Sequence, residues 1–181
     1  MSVHTKIGKE GIYFITFTCY EWLPLIELSQ GYDAVYNFFT ALGKQNHTVL
    51  AYVIMPNHLH LLLHYNGGKN LNTVIGNGKR FMAYEIISLL EKKGEQTILK
   101  KLQVEVRSKD RSRGKKHEVW ISSFDVKECR TEKFILQKLI YIHENPVRAG
   151  ICKYPDDYKY SSALLYKLGK DNWGFLTHLR D

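Results

Sequence analysis

Two apolar runs, Thr48 to Met55 (TVLAYVIM) and Leu59 to Tyr65 (LHLLLHY), lie on either side of a Pro56-Asn57 turn signal. So short a connection pairs two strands antiparallel, and that hairpin constrains everything else the chain can build. His58 and His60 stand at the start of the second run. A third strand is predicted over Ile12 to Thr18 (IYFITFT), which alternates and is rich in β-branched and aromatic residues.

Helical spacing of apolar residues predicts a helix over Asp33 to Leu42, stopped by Gly43. A second is predicted within Asn70 to Lys93, from about Leu71. It carries Leu71, Val74, Ile75, Phe81, Ile86, Leu89 and Leu90, with Gly76 and Gly78 weakening its first half. Arg107 to His117 (RSKDRSRGKKH) has no apolar residue and reads as a flexible loop. A short strand is predicted over Val119 to Val126. A last helix over Thr131 to Glu144 has a Thr-x-x-Phe start and a stop at Asn145-Pro146. The order β, α, β, β, α, β, α predicts an α+β fold: a ferredoxin-like antiparallel sheet with helices packed on one face. No repeat or linker interrupts the 181 residues, so a single domain is expected.

The chain carries 26 Lys and Arg against 18 Asp and Glu, a formal charge of +8 that favours a polyanionic partner such as nucleic acid. Cys19, Cys129 and Cys152 are odd in number and form no CxxC pair, which fits a reducing cytoplasm and argues against a disulfide framework or zinc ribbon. No apolar run is long enough to span a bilayer, and the start MSVHTKIGKE has no apolar signal region. The expectation is a cytoplasmic protein without a membrane partner.

Residues two apart on a strand share a face, so His58 and His60 present both imidazoles to one side while Leu59, Leu61 and Leu63 take the other. Imidazole suits several divalent ions, but two histidines are an incomplete ligand set. Eight histidines in 181 positions give about 0.3 such pairs by chance, so HLH alone decides little, and two polar residues on a half-exposed strand is the simpler account. His64 shares their parity and reads as structural. In the last helix Tyr141 and Asn145 are four apart and share a face. A tyrosine hydroxyl, with an ordinary pKa of about 10, attacks a phosphodiester only with a metal or base to assist. The histidine pair is a source of that metal if this helix packs beside the histidine strand, and the amide oxygen of Asn145 then completes the set. With 12 tyrosines in the chain, spacing alone does not single out Tyr141.

Three motifs in order change the weighing: MPNHLHLLL at Met55 to Leu63, YIHENPVRAG at Tyr141 to Gly150 and YPDDYKYSS at Tyr154 to Ser162. Together they closely resemble the REP-associated tyrosine transposases, a family of the HUH single-strand transposases, over about Tyr13 to Tyr166. The resemblance implies that His58 and His60 bind the metal, that Asn145 is a third, amide ligand, and that Tyr141 is the catalytic tyrosine, on a helix near the C-terminal part. It implies Mg²⁺ or Mn²⁺ as cofactor and hairpin or palindromic single-stranded DNA as partner. The implied reaction is cleavage through a 5′-phosphotyrosine, by a monomer or a homodimer. Two departures bear on DNA contact: Trp120 to Phe124 reads WISSF where many relatives carry polar and basic residues after the tryptophan, and YKYSS stands for the commoner YPWSS.

Candidate backbone-binding cations are Arg107, Lys109, Arg111, Arg113, Lys115 and Lys116 in the basic run, with Lys79, Arg80 and Arg148 as weaker ones. A charged run is more often simply solvated. Three other functions compete. A catalytically inactive single-strand or hairpin-binding regulator would keep the fold without the chemistry. An RNA-binding module would stack bases on sheet aromatics such as Tyr13 and Phe17. A metal-dependent hydrolase would use water in place of Tyr141.

Overall fold

A computed structural model describes residues 9–121, 125–171 and 173–180. Strand β1 (Gly11–Thr18) leads through a 3₁₀ turn at Tyr20–Trp22 into two helices, α1 (Leu25–Ser29) and α2 (Tyr32–Gly43). The hairpin follows as β2 (Thr48–Ile54) and β3 (His58–Tyr65), then α3 (Leu71–Lys92), α4 (Gln96–Val104) and the single turn α5 (Ser108–Arg111). Strand β4 (Asp125–Glu128), α6 (Glu132–Arg148) and α7 (Ala163–Leu168) complete the order. The four strands form one antiparallel sheet in the order β2-β3-β1-β4, the ferredoxin-like arrangement expected from the sequence.

Strand β3 lies in the interior of the sheet and is buried on both sides from Leu59 to Leu63. Its odd-numbered residues Leu59, Leu61, Leu63 and Tyr65 join Tyr13, Ile15 and Phe17 of β1 in a core closed by α1, α2 and α3. The even-numbered side, with Phe14, Val53 and Leu62, forms a second core closed by Leu139 and Ile142 of α6. The sheet thus has a helical layer on each face, not on one as the sequence suggested, because α6 folds back over Phe14, Val53 and Leu62 and supplies the second layer. Tyr13 and Phe17 are 3% and 0% exposed beneath the first layer, so neither is open to a stacked base as an RNA-binding module would need.

Several local expectations are corrected. Helix α3 runs without a break through both glycines, for different reasons. Among the described residues nothing would meet a Cβ on Gly76, whereas one on Gly78 would collide with the Phe38 ring, so at Gly78 this side chain of α2 packs directly on the α3 backbone. Phe81, expected on the apolar face, is 61% exposed. Helix α6 does not stop at Asn145-Pro146. It continues to Arg148, because the carbonyls of Asn145, Pro146 and Val147 accept from the amides of Ala149, Ile151 and Gly150 and build a further turn. The start is as expected, with Thr131 Oγ1 accepting from Phe134 N.

The Arg107 to His117 run contains the short helix α5, ordered by an Arg107–Asp110 ion pair and by Arg111, whose guanidinium donates to the carbonyls of Gln103, Val104 and Val106. Within the strand expected over Val119 to Val126, Trp120 bridges to Cys19 and β4 runs from Asp125 to Glu128. Ser122, Ser123 and Phe124 of the WISSF segment lie outside the described residues.

After α6 the chain crosses to the free side of β2. Ile54 N donates to Tyr160 O, Ser162 N to Tyr52 O, and Tyr158 Oη to Ile54 O (each 2.8 to 3.0 Å). The Tyr160 ring stacks on Tyr32 at 3.5 Å, so YKYSS is used here to close a sheet edge. Among the described residues, no helix is long and apolar enough to cross a membrane.

The two glycines of α3 therefore predict opposite signs. Gly78→Ala should lower the unfolding free energy by about 1–3 kcal/mol through overpacking against Phe38. Gly76→Ala should raise it by about 0.5–1 kcal/mol through helix propensity. Urea denaturation of the two variants beside the unmodified chain measures both.

Candidate active site

The two histidines point into the face covered by α6, and the residues around them account for nearly all of their ring nitrogens. Asn57, in the turn before β3, donates from Nδ2 to the Trp22 carbonyl (3.1 Å), which turns its Oδ1 toward His58 Nδ1 (2.7 Å). A neutral imidazole has one N–H to donate, and the shorter of the two amide contacts of His58 is this one at Nδ1. Its Nε2 stands 3.2 Å from Oδ1 of Asn145 on α6. With an amide oxygen at each ring nitrogen, a neutral His58 can donate to only one of them, and a proton on Nδ1 leaves Nε2 and Asn145 Oδ1 as two facing lone pairs. Burial lowers the pKa of His58, which opposes the doubly protonated ring that would otherwise resolve the conflict.

His60 is 5% exposed. Its Nδ1 pairs with Thr16 Oγ1 across the β1–β3 ladder (2.9 Å), in the register that sets Thr16 opposite His60. Among the described residues, its Nε2 is buried with no hydrogen-bond partner. Burial, with His58 and Lys138 adding to it, pushes the His60 pKa down to about 3, so the ring is neutral. The two rings are 4.9 Å apart. The set comprises two neutral imidazoles whose outer nitrogens are held by neighbours, together with one amide oxygen, a combination that suits a divalent cation.

Tyr141 lies beside this set. Its ring centroid is 5.1 Å from that of His60 and 5.9 Å from that of Phe14, and Phe14 stacks on His60 at 5.3 Å. Tyr141 is partly exposed. The ammonium of Lys138, one helical turn earlier, lies 5.5 Å from the Tyr141 ring centre, and the guanidinium of Arg148, two turns later, lies 5.7 Å from it. The expected residues His58, His60, Tyr141, Asn145 and Arg148 are thus brought together. His143, next but one to Tyr141, takes no part: its Nε2 pairs with Ser162 Oγ (2.9 Å), and burial pushes its pKa down to about 4.

The remaining basic candidates are not brought to the histidines. Lys79 and Arg80 sit on α3, on the opposite side of the sheet. Lys79 Nζ donates to the Ile121 carbonyl (2.8 Å) and its own carbonyl accepts from Trp120 Nε1 (2.9 Å), which anchors the Trp120 segment. The Arg80 guanidinium lies 5.2 Å from the Phe81 ring centre. In the basic run, Arg107 and Arg111 are engaged locally and Lys115 pairs with Glu118. Lys109, Arg113 and Lys116 are exposed and make no salt bridge among the described residues.

Four contributors escaped the sequence: Thr16, Asn57, Trp22 and Lys138. Lys138 had a signal, its position three residues before Tyr141 on a helix. Asn57 had one in its place directly before His58. Thr16 is visible only once the strand register is known.

The sequence matches no protein-family model and no curated protein. Among solved structures it is similar to a REP-associated tyrosine transposase bound to a REP hairpin, with a TM-score of 0.63 over 100% of this chain and 94% of that one, at 17% identity. The chain has the fold of a REP-associated tyrosine transposase. It is also similar to a protein from Deinococcus radiodurans provisionally described as a transposase, at 18% identity and a TM-score of 0.46, covering 80% of this chain and 97% of that one. On this fold, the histidine face and the tyrosine helix of the chain meet.

The Thr16–His60 bond predicts a measurable cost. Thr16→Val should destabilise the chain by about 1–3 kcal/mol, because it strands a buried ring nitrogen, while Thr16→Ser should recover most of the loss. Thermal or urea unfolding distinguishes the two.

Proposed function

We propose that this chain is a metal-dependent transesterase of the REP-associated tyrosine transposase kind, cutting and rejoining single-stranded DNA that carries a hairpin or palindromic repeat. The observation that carries the reading is the cluster of three acceptors, His58 Nε2, Asn145 Oδ1 and the unpartnered His60 Nε2, beside the Tyr141 ring. Buried polar atoms left without donors are costly, and a cation shared among them removes the cost. A Mg²⁺ or Mn²⁺ ion bound there would polarise a phosphate and ease departure of its leaving oxygen.

The chain's own part follows from its geometry. Asn57 and Thr16 hold the outer nitrogens and so fix which nitrogen of each ring faces the cluster. Tyr141 Oη attacks the phosphorus, forming an O–P bond as the bond to the 3′ oxygen breaks. The phenolic proton is lost, and the leaving 3′ oxygen takes one up through solvent. The products are a 5′-phosphotyrosine and a free 3′-hydroxyl. The reverse attack by a 3′-hydroxyl reseals the strand and frees Tyr141, with no external energy source needed. Lys138 and Arg148 place positive charge at the ring, where a phosphodiester would approach. Because both histidines, Asn145 and Tyr141 meet within one chain, a single protomer supports the site. The exposed cations Lys109, Arg113 and Lys116 remain available to track a strand by its phosphates, and the fold's formal charge of +8 favours it.

Two outcomes test this. With Mn²⁺ at about a hundred times its Kd, the melting temperature should rise by roughly 5 °C or more. The rise should vanish in His60→Ala and persist in Tyr141→Phe. Incubated with labelled single-stranded hairpin DNA and Mn²⁺, the protein should form a covalent adduct that survives a denaturing gel, and both variants should lose it. An adduct that persists in Tyr141→Phe would sink the assignment. Strand cleavage that persists there without an adduct would point to water as nucleophile, and binding without cleavage to a regulator.

A further inference from the structure

Trp22 occupies a position that folding alone does not account for. It is 58% exposed, and both it and Glu21 have left-handed backbone, with φ of 58° and 48°. Two consecutive non-glycine residues in that region, one of them a bulky aromatic, cost on the order of what a single well-made tertiary contact contributes, and persist only when their surroundings impose them. Here the surroundings do. Lys101 holds Glu21 in an ion pair at 2.6 Å, Tyr20 Oη donates to Glu105 at 2.8 Å, and Asn57 Nδ2 holds the Trp22 carbonyl.

The result is an indole whose centroid lies 5.5 Å from that of His58, with the rings at 72°, leaving the rest of the indole to solvent. The same Asn57 that meets Nδ1 of His58 therefore also sets the turn that carries Trp22.

We propose that Trp22 is a stacking platform for one nucleobase of the bound single strand, immediately beside the phosphate handled at His58. This rests on the proposed single-strand reaction and adds where the strand lies. An indole is suited to the role because every base presents a π face, so the contact positions the strand without reading its sequence. A base stacked there places the backbone next to the histidine cluster, while Lys138 and Arg148 attract the phosphate.

The test is equilibrium binding of a short fluorescein-labelled single strand by the full chain in EDTA, where no metal-dependent cleavage runs. Trp22→Ala should weaken binding roughly 5- to 150-fold, and Trp22→Phe should restore most of it. An abasic site walked along the strand should reproduce the loss at one position and cost nothing further in Trp22→Ala. Unchanged binding by Trp22→Ala, an abasic scan with no position tied to Trp22, or no binding of single strands by the unmodified chain overturns the platform. The covalent-adduct assay reads the reaction separately: Trp22-dependent binding without an adduct keeps the platform and removes the transesterase.

Discussion

Burial of the histidine strand on both sides is the constraint on which the rest depends. An interior strand whose alternate residues enter two separate cores needs a helical layer above and below. Leu59, Leu61 and Leu63 are covered by α1, α2 and α3, and the side bearing His60 and Leu62 can only be closed by a helix arriving later in the chain. That helix is α6, and its packing through Leu139 and Ile142 is what sets Tyr141 against His60. The site is assembled by the closure of a core.

The same closure creates the electrostatic condition of the site. Polar rings buried under a helix must find partners or lose stability. Thr16 and Asn57 satisfy one nitrogen of each histidine and Asn145 approaches the second nitrogen of His58, but His60 Nε2 stays unanswered. Desolvation keeps both imidazoles inclined to the neutral form, so the cluster presents lone pairs where an ordinary core would present donors. Positive charge at the rim, from Lys138 and Arg148, lies outside this ring of acceptors, beside the tyrosine.

Much of the strand framework was legible from alternation and turn signals, because period-two burial leaves a direct trace in the residues. The hairpin, the parity of His58 and His60, and the shared face of Tyr141 and Asn145 all follow from local rules. What was not legible depends on distance in sequence. The end of α6 was misjudged because proline was weighed as a stop, while Pro146 is buried and the turn after it is held by backbone bonds from Ala149, Gly150 and Ile151. The first half of α3 looked weak for its glycines, yet Gly78 is there to admit Phe38 from α2. The basic run looked unstructured because Arg111 caps a helix, α4, that had not been anticipated. Thr16 and Trp22 acquire meaning only from the neighbours that the fold brings to them.

The strap formed by Tyr158 to Ser162 has a consequence for how the chain keeps to itself. A sheet of four strands has two rims, and an uncovered rim is a template for recruiting foreign strands. One rim carries the short strand β4, with Asp125, Lys127 and Glu128 along it. The other, long and apolar, is β2, and it is sealed by the chain's own later segment through Tyr160, Ser162 and the Thr177 amide on Val49. The residues after the tyrosine helix therefore act as a guard against amyloid-like addition, and a protein shortened to end at Gly150 would keep every group of the acceptor cluster while exposing its most adhesive edge.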